Sequence, residues 1–367
     1  MKTQLFHSSE TKLAAELLRR GELVAFPTET VFGLGADALN LKAVSRIFAA
    51  KGRPSDNPLI VHLSEISQVN HVAQSVPLGA KLLMDRFWPG PLTIVLRKLP
   101  SVPDLVTAGL DSVAVRLPNH PIAHELIRLA GVPIAAPSAN RSGRPSATTW
   151  QAVLEDLNGR IEGIVCGEPA SFGLESTVVD TTVSPPRVLR PGGVSFEELQ
   201  SVLPNMQPYS FPTGTSSREV QSSPGLRHKH YQPRAEIVLL PPICGPGAFV
   251  GPGQFVGTGQ FVGTGQFNGP GPLVDHQSKE SAIPIVSDKA WFIGLHSPSD
   301  SDRFERIQVY GSTQEYASNL FDYFRQADHA MVQVVYCETV SEFGIGVALM
   351  DRLRRASGQE PKADNRK

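Results

Sequence analysis

Residues 23–63 read LVAFPTETVFGLGADALNLKAVSRIFAAKGRPSDNPLIVHL, and the order of textures in that stretch decides the fold. An apolar run, Leu23–Pro27, is followed by a polar junction. Leu41–Ala50 then carries Leu41, Val44, Ile47 and Phe48 on one face, the spacing of an amphipathic helix. A second apolar run, Leu59–Leu63, closes the unit. Both runs are too continuously apolar for a sheet with one face in water, so they read as strands covered by helices. Outward from here the same texture recurs at Leu92–Leu96, Val113–Leu117, Ile134–Ala136, Ile164–Cys166 and Thr177–Val179. Thr11–Arg20 reads as a helix stopped by Gly21. Thr148-Thr-Trp-Gln151 and Ser195-Phe-Glu-Glu198 read as capping boxes opening two more. The expected fold class is α/β: a twisted, open, mixed sheet with helices packed on it.

That texture defines a first domain over residues 1–207. Residues 208–234, rich in Pro, Ser, Thr and Gly, read as a linker. A smaller, Rossmann-like α/β domain is expected over 235–356. Its strands are Ala235–Leu240, Trp291–Leu295, Ile307–Val309 and Met331–Val335, and its helices Thr313–Arg325 and Val347–Arg355. Within it, 245–271 repeats Gly-x-Gly-x-Phe-x with a period of six and holds ten of the chain's 32 glycines. A run without aliphatic ladders reads as a surface insertion rather than a β-helix. Residues 357–367 form a polar tail.

The 367 residues are 41% hydrophobic and 19% charged, too apolar for a disordered chain. A net charge of −1 argues against coating nucleic acid or anionic membrane through bulk charge. Three scattered cysteines, Cys166, Cys244 and Cys337, exclude a disulfide scaffold and a cysteine-rich zinc site. Met1–Glu10 lacks the apolar core of a signal peptide and no apolar run approaches the ~20 residues of a membrane span, so a cytoplasmic protein is expected.

No P-loop, dinucleotide fingerprint, zincin or nucleophile-elbow motif occurs. Polar, Gly/Pro-rich junctions stand instead at the ends of the expected strands, where open α/β sheets place their ligands. They are Pro27–Gly35, Lys51–Pro58, Arg116-Leu-Pro118, Ala136–Ser146, Gly173–Thr177 and Arg190-Pro-Gly192. Singly, each has a plain reading: Lys51 and Arg53 suit the C-terminal end of a helix, and Ser138 and Asn140 suit a turn. Arg116 inside an apolar strand is costly unless an anion or carboxylate meets it. Together the cations and hydroxyls describe a cleft for several negative charges, a phosphate chain plus a carboxylate. The scarcity of acidic residues at these junctions argues against a two-metal hydrolase, and no metal ligand is assigned.

The motifs Pro27-Thr-Glu-Thr-Val-Phe-Gly-Leu-Gly35, Lys51-Gly-Arg53-Pro, Trp88-Pro-Gly-Pro-Leu-Thr93, Pro137-Ser-Ala-Asn140, Glu175–Asp180 and Leu189-Arg-Pro-Gly192 resemble those of the YrdC-like family. Ser223–Pro233 and Phe343–Ala356 resemble the linker and final helix of its long, two-domain form. The resemblance implies an L-threonylcarbamoyladenylate synthase, a nucleotidyltransferase. It would join L-threonine, bicarbonate or CO2, and ATP, release pyrophosphate, and supply N6-threonylcarbamoyladenosine modification of tRNA. Carried over, Thr30, His62, Arg116, Ala136 and Ser176 would bind threonine. Arg53, Asn57, Ser112, Ser138, Asn140, Ser146, Arg190 and Tyr231 would bind ATP, with Lys51 and Arg53 the catalytic cations. Mg²⁺ would accompany ATP, with no organic cofactor. The linker with Tyr231 would act as a lid, and the product would pass to a tRNA-modifying transferase complex without stable tRNA or membrane binding. Phe32 stands where the family usually has tyrosine, so any contact through that hydroxyl is lost or replaced by water. The alternatives are an RNA-binding module of the same fold, disfavoured by the near-neutral charge, and a carbamoyl-transfer enzyme, which would need zinc-finger and acylphosphatase modules.

Overall fold

The computed structural model describes residues 2–210, 231–243 and 289–359. The glycine-rich run 245–271, residues 211–230 of the linker and most of the tail lie outside them. In the first part the strands are β1 (Gln4–Phe6), β2 (Val24–Phe26), β3 (Gly33–Asp37), β4 (Ile60–His62), β5 (Leu92–Arg97), β6 (Ser112–Arg116), β7 (Ile134–Ala135), β8 (Gly163–Val165), β9 (Thr177–Asp180) and β10 (Arg187–Arg190). They form one 10-stranded sheet in the order β1-β8-β2-β3-β7-β4-β6-β5-β9-β10. Its pairings are mixed: β4 lies parallel to β6, β5 runs antiparallel to β6, and β9 lies parallel to β5.

Helices cover the sheet because their apolar stripes need a partner. Val44, Ile47 and Phe48 of helix Leu41–Lys51 enter the largest core cluster, which also holds Leu34, Val61 and Val115. Leu126 and Ile127 of helix Pro121–Ala130 join Leu18, Phe26 and Ile134 in a second cluster. Phe32 is wholly buried in the largest cluster.

Sequence periodicity missed β1, β3 and β10, each too short or too polar to stand out. Gly33-Leu-Gly35 is not a junction loop but the start of β3. A Cβ on Gly35 would lie 2.9 Å from the Phe26 ring and 3.0 Å from Ile134, so glycine is what lets this strand sit against its neighbours. The box at Ser195–Glu198 forms as expected. The other does not form: Thr149, not Thr148, caps helix Trp150–Leu157, its side chain accepting from the Ala152 amide, and Ala152 has no polar side chain to reach back. Cys166 lies just past the end of β8, partly exposed rather than inside the strand.

The second part is a 4-stranded, wholly parallel sheet of β11 (Glu236–Leu240), β12 (Ala290–Gly294), β13 (Arg306–Val309) and β14 (Val334–Glu338), ordered β11-β14-β12-β13. Helices Thr313–His329 and Ile345–Ser357 pack on it. The last strand begins three residues later than periodicity implies. The preceding helix continues to His329, and Met331, three-quarters exposed at φ 55°, turns the chain before β14. Val31 and Leu174 of the first part belong to the second part's core cluster, so the two parts pack against each other there. No helix among the described residues is long and apolar enough to cross a membrane.

Candidate active site

Strand register builds the site. His62 at the end of β4 is paired with Arg116 at the end of β6, and Arg116 with Thr93 on β5. Ser176, just before β9, comes next: its hydroxyl lies 2.8 Å from that of Thr93. Because the sheet is mixed, Thr93 and Ser176 arrive from the amino ends of their strands, not from the carboxyl ends that sequence suggests. Arg190, at the end of β10, completes the row; its Nη2 donates to the Ser176 carbonyl at 2.9 Å and hydroxyl at 3.2 Å. Gly192 lets the following turn close: a Cβ there would come within 2.3 Å of the backbone at 175–177.

Arg116 finds a protein partner at once. Its Nη2 lies 2.8 Å from the Glu29 carboxylate, Nη1 donates to the Thr30 hydroxyl at 2.8 Å, and Nε donates to the Gly90 carbonyl at 3.3 Å. The buried charge is therefore compensated within the fold. His62 is buried, and burial, followed by the neighbouring Arg116 charge, pulls its pKa down to about 3, so the ring is neutral at physiological pH.

These residues surround an open cleft. Of the residues singled out from sequence, Thr30, Arg53, His62, Arg116, Ala136, Ser138, Asn140, Ser146, Ser176, Arg190 and Tyr231 line it. Three do not. Lys51 is buried behind the wall, its Nζ donating to the carbonyls of Ser138, at 2.5 Å, and Asn140. Burial, then the Arg53 charge, pushes this ammonium well below its ordinary pKa. Asn57 is fully buried, its carbonyl 3.4 Å from Arg53 Nε. Ser112 stands at the far end of β6, about 13 Å of strand from Arg116.

Arg53 also donates to the Pro58 carbonyl, at 3.1 Å. Burial pulls its pKa down to about 10 against a raising influence from Tyr231, which leaves it cationic at neutral pH. The Ser138–Asn140 segment is braced internally: Ser138 Oγ donates to Asn140 Oδ1 at 2.5 Å, and Asn140 Nδ2 donates to the carbonyls of Arg141 and Arg144, both at 2.9 Å.

Sequence reasoning gave no role to Glu29, Thr28, Arg144, Glu175 or Arg352. Glu175 lines the cleft and accepts from Ser146 Oγ at 2.7 Å and from Arg352 Nε at 2.9 Å. Burial alone would raise its pKa; the Arg352 and Arg190 charges and these hydrogen bonds outweigh that and hold the carboxyl below its ordinary value. A signal for Arg352 existed, since it falls on the apolar stripe of its helix with Ala348, Leu349, Leu353 and Ala356. Tyr231 is buried and stacked on Phe321 of the second sheet's helix, ring centroids 5.2 Å apart. Among the described residues no group of three or more His, Cys, Asp or Glu is placed to hold a metal ion.

Fold and cleft together define an α/β protein whose first domain carries a cleft lined by cations and hydroxyls and closed at one side by Tyr231. The chain belongs to the Sua5/YciO/YrdC family: that model, described as telomere recombination, matches residues 16–192, and a model described as threonylcarbamoyl-AMP synthase, C-terminal domain, matches residues 194–358. It is 42% identical over 347 residues to the threonylcarbamoyl-AMP synthase of Pyrococcus abyssi, covering 95% of this chain and 94% of that one. The Bacillus subtilis protein of the same name is 41% identical over 353 residues, covering 94% and 92%. The crystal structure of P. abyssi Sua5 complexed with L-threonine matches with a TM-score of 0.80 at 40% identity and covers 98% of both chains.

Proposed function

We propose that this cleft condenses L-threonine, CO2 or bicarbonate, and ATP into L-threonylcarbamoyl-AMP and pyrophosphate. One observation carries the reading: Arg53, Arg116 and Arg190 converge on a single cleft edged by the hydroxyls of Thr30, Ser138, Ser146 and Ser176. The threonine amine adds to CO2, forming a C–N bond and losing a proton. A carbamate oxygen then attacks the α-phosphorus, and the bond to the β-phosphate oxygen breaks. A field of guanidinium groups disfavours a nearby ammonium, which favours the free amine this step needs. Arg53 and Arg190 are assigned to the phosphates. Arg116, with Thr30, His62, Ala136 and Ser176, is assigned to threonine. The neutral ring of His62 adds no charge to that end. Catalysis is then positioning and electrostatic stabilisation, with no covalent enzyme intermediate.

Lys51 acts through the Ser138–Asn140 backbone that it holds, not by touching phosphate. Asn57 likewise supports Arg53 from behind. Ser112 joins an ATP site only if the nucleotide extends along β6. Mg²⁺ enters as part of the nucleotide substrate: the one carboxylate lining the cleft, Glu175, is already engaged by Arg352 and Ser146. The product is a mixed anhydride, prone to hydrolysis. Tyr231, at the end of the linker, covers the nucleotide side, and a transferase that modifies tRNA in the cytoplasm would consume the product.

The test is pyrophosphate release by the purified full chain with ATP, with and without threonine and bicarbonate. Release is expected only when all three are present; release indifferent to threonine overturns the assignment.

A further inference from the structure

We propose that Arg352, carried by the last helix of the second domain, is a positioning residue for the nucleotide half of the cleft. It does not line the cleft itself, yet one guanidinium ties together three pieces of the wall. Its Nε donates to Glu175 Oε2 at 2.9 Å, and its Nη1 donates to the carbonyl of Pro191 at 3.1 Å, in the turn directly after Arg190. Its carbon lies 5.4 Å from the centroid of the Tyr231 ring. The group is completely buried, and Asp351 Oδ2, accepting from Nη1 at 2.6 Å, balances its charge from the other side.

The consequence follows from Glu175. Its second oxygen, Oε1, accepts from the hydroxyl of Ser146, so Arg352 fixes the direction in which that hydroxyl presents its lone pairs to the cleft. A carboxylate this buried needs a fixed cation nearby to stay ionised. Arg352 donates to it directly, and the first domain's own Arg190 adds its charge. The nucleotide subsite of this chain is thus completed by its second domain.

The nucleotide assignment rests on the reading above, so ATP binding is measured by calorimetry without threonine alongside turnover. Wild type that binds ATP but shows no threonine-dependent pyrophosphate would sink the reaction and leave this proposal standing. Arg352→Met in the full chain is expected to weaken ATP binding and raise the ATP KM by about tenfold or more, the scale of one lost charged hydrogen bond. The threonine KM is expected to stay within about threefold. In that variant the acid limb of kcat/KM for ATP moves to higher pH, because burial then acts on Glu175 without Arg352. Glu175→Gln in the Arg352→Met background removes that limb shift, and Arg352→Lys recovers part of the ATP affinity. Equal losses for ATP and threonine at every pH, with no limb shift, overturn the proposal. If Arg352→Met does not fold, Arg352→Lys and Glu175→Gln decide: unchanged ATP KM in both also overturns it.

Discussion

Two sheets in this molecule carry buried charge at their strand ends, and the described residues meet it in different ways. At the cleft the cations Arg53 and Arg190 bond mainly backbone carbonyls, which hold a guanidinium in place without cancelling its charge, while Arg116 at the end of β6 is met by Glu29. At the carboxyl ends of β12 and β14 the opposite arrangement holds. The Glu338 carboxylate, buried, accepts from the amides of Ile243, Leu295 and His296 at 2.9, 2.7 and 2.9 Å, and lies 2.7 Å from His296 Nδ1. Parallel sheets gather ligands at this edge; here the protein's own carboxylate occupies the donors. Cations held mainly by neutral groups, as Arg53 and Arg190 are, keep their charge available to a ligand; donors that converge on a buried anion, as at Glu338, form a structural knot.

Substitutions at each edge test the comparison. The largest effect is expected for Arg53→Ala. Turnover should fall about 10²–10³-fold, the loss typical of a group that stabilises developing charge. Its thermal midpoint should change little, because the partners of Arg53 are neutral carbonyls and its removal leaves no buried charge unpaired. A collapse in melting temperature would make Arg53 a structural cation instead.

Glu338→Gln should do the reverse. We expect roughly 3 kcal/mol of lost stability in denaturant unfolding, since an amide cannot accept from every donor aimed at it. The kcat/KM of the folded fraction should stay near that of wild type. Strong loss of ATP affinity without loss of stability would reveal a second ligand site and erase the contrast.

The smallest effect concerns His62. Its folded pKa of about 3 lies below the unfolded value of 6.5, so above pH 6.5 both states are neutral and it contributes nothing. As pH falls further, the unfolded chain takes a proton that the folded chain refuses, and stability drops by about 2 kcal/mol at pH 5. His62→Gln should remove that part of the acid sensitivity. Equal sensitivity in wild type and variant would mean that the ring protonates in place.

The strand-end cations were legible because an arginine within or beside an apolar run violates a local pattern. Arg116 and Arg190 announce themselves in that way, as does the cluster Lys51-Gly-Arg53. Their partners were not legible. Arg116 was expected to need an outside anion, and the fold instead supplies Glu29, whose place in Pro27-Thr-Glu-Thr30 gives no hint of the contact. Lys51 and Arg53 look alike in sequence, yet Lys51 closes the helix and points into the protein while Arg53, past its end, lines the cleft. The Gly52 between them, in the left-handed conformation at φ 63°, ends the helix and separates their directions.

What the chain determined by itself was periodic and local: apolar runs of strand length, amphipathic helices, and small, polar or cationic residues at their junctions. Those features depend on residues within a turn or a pleat of one another. What only the tertiary structure decided was which charge meets which. Arg352 and Glu175 are 177 positions apart and 2.9 Å apart in space. Electrostatic pairing is set by distance through space, and neighbourhood along the chain carries no record of it.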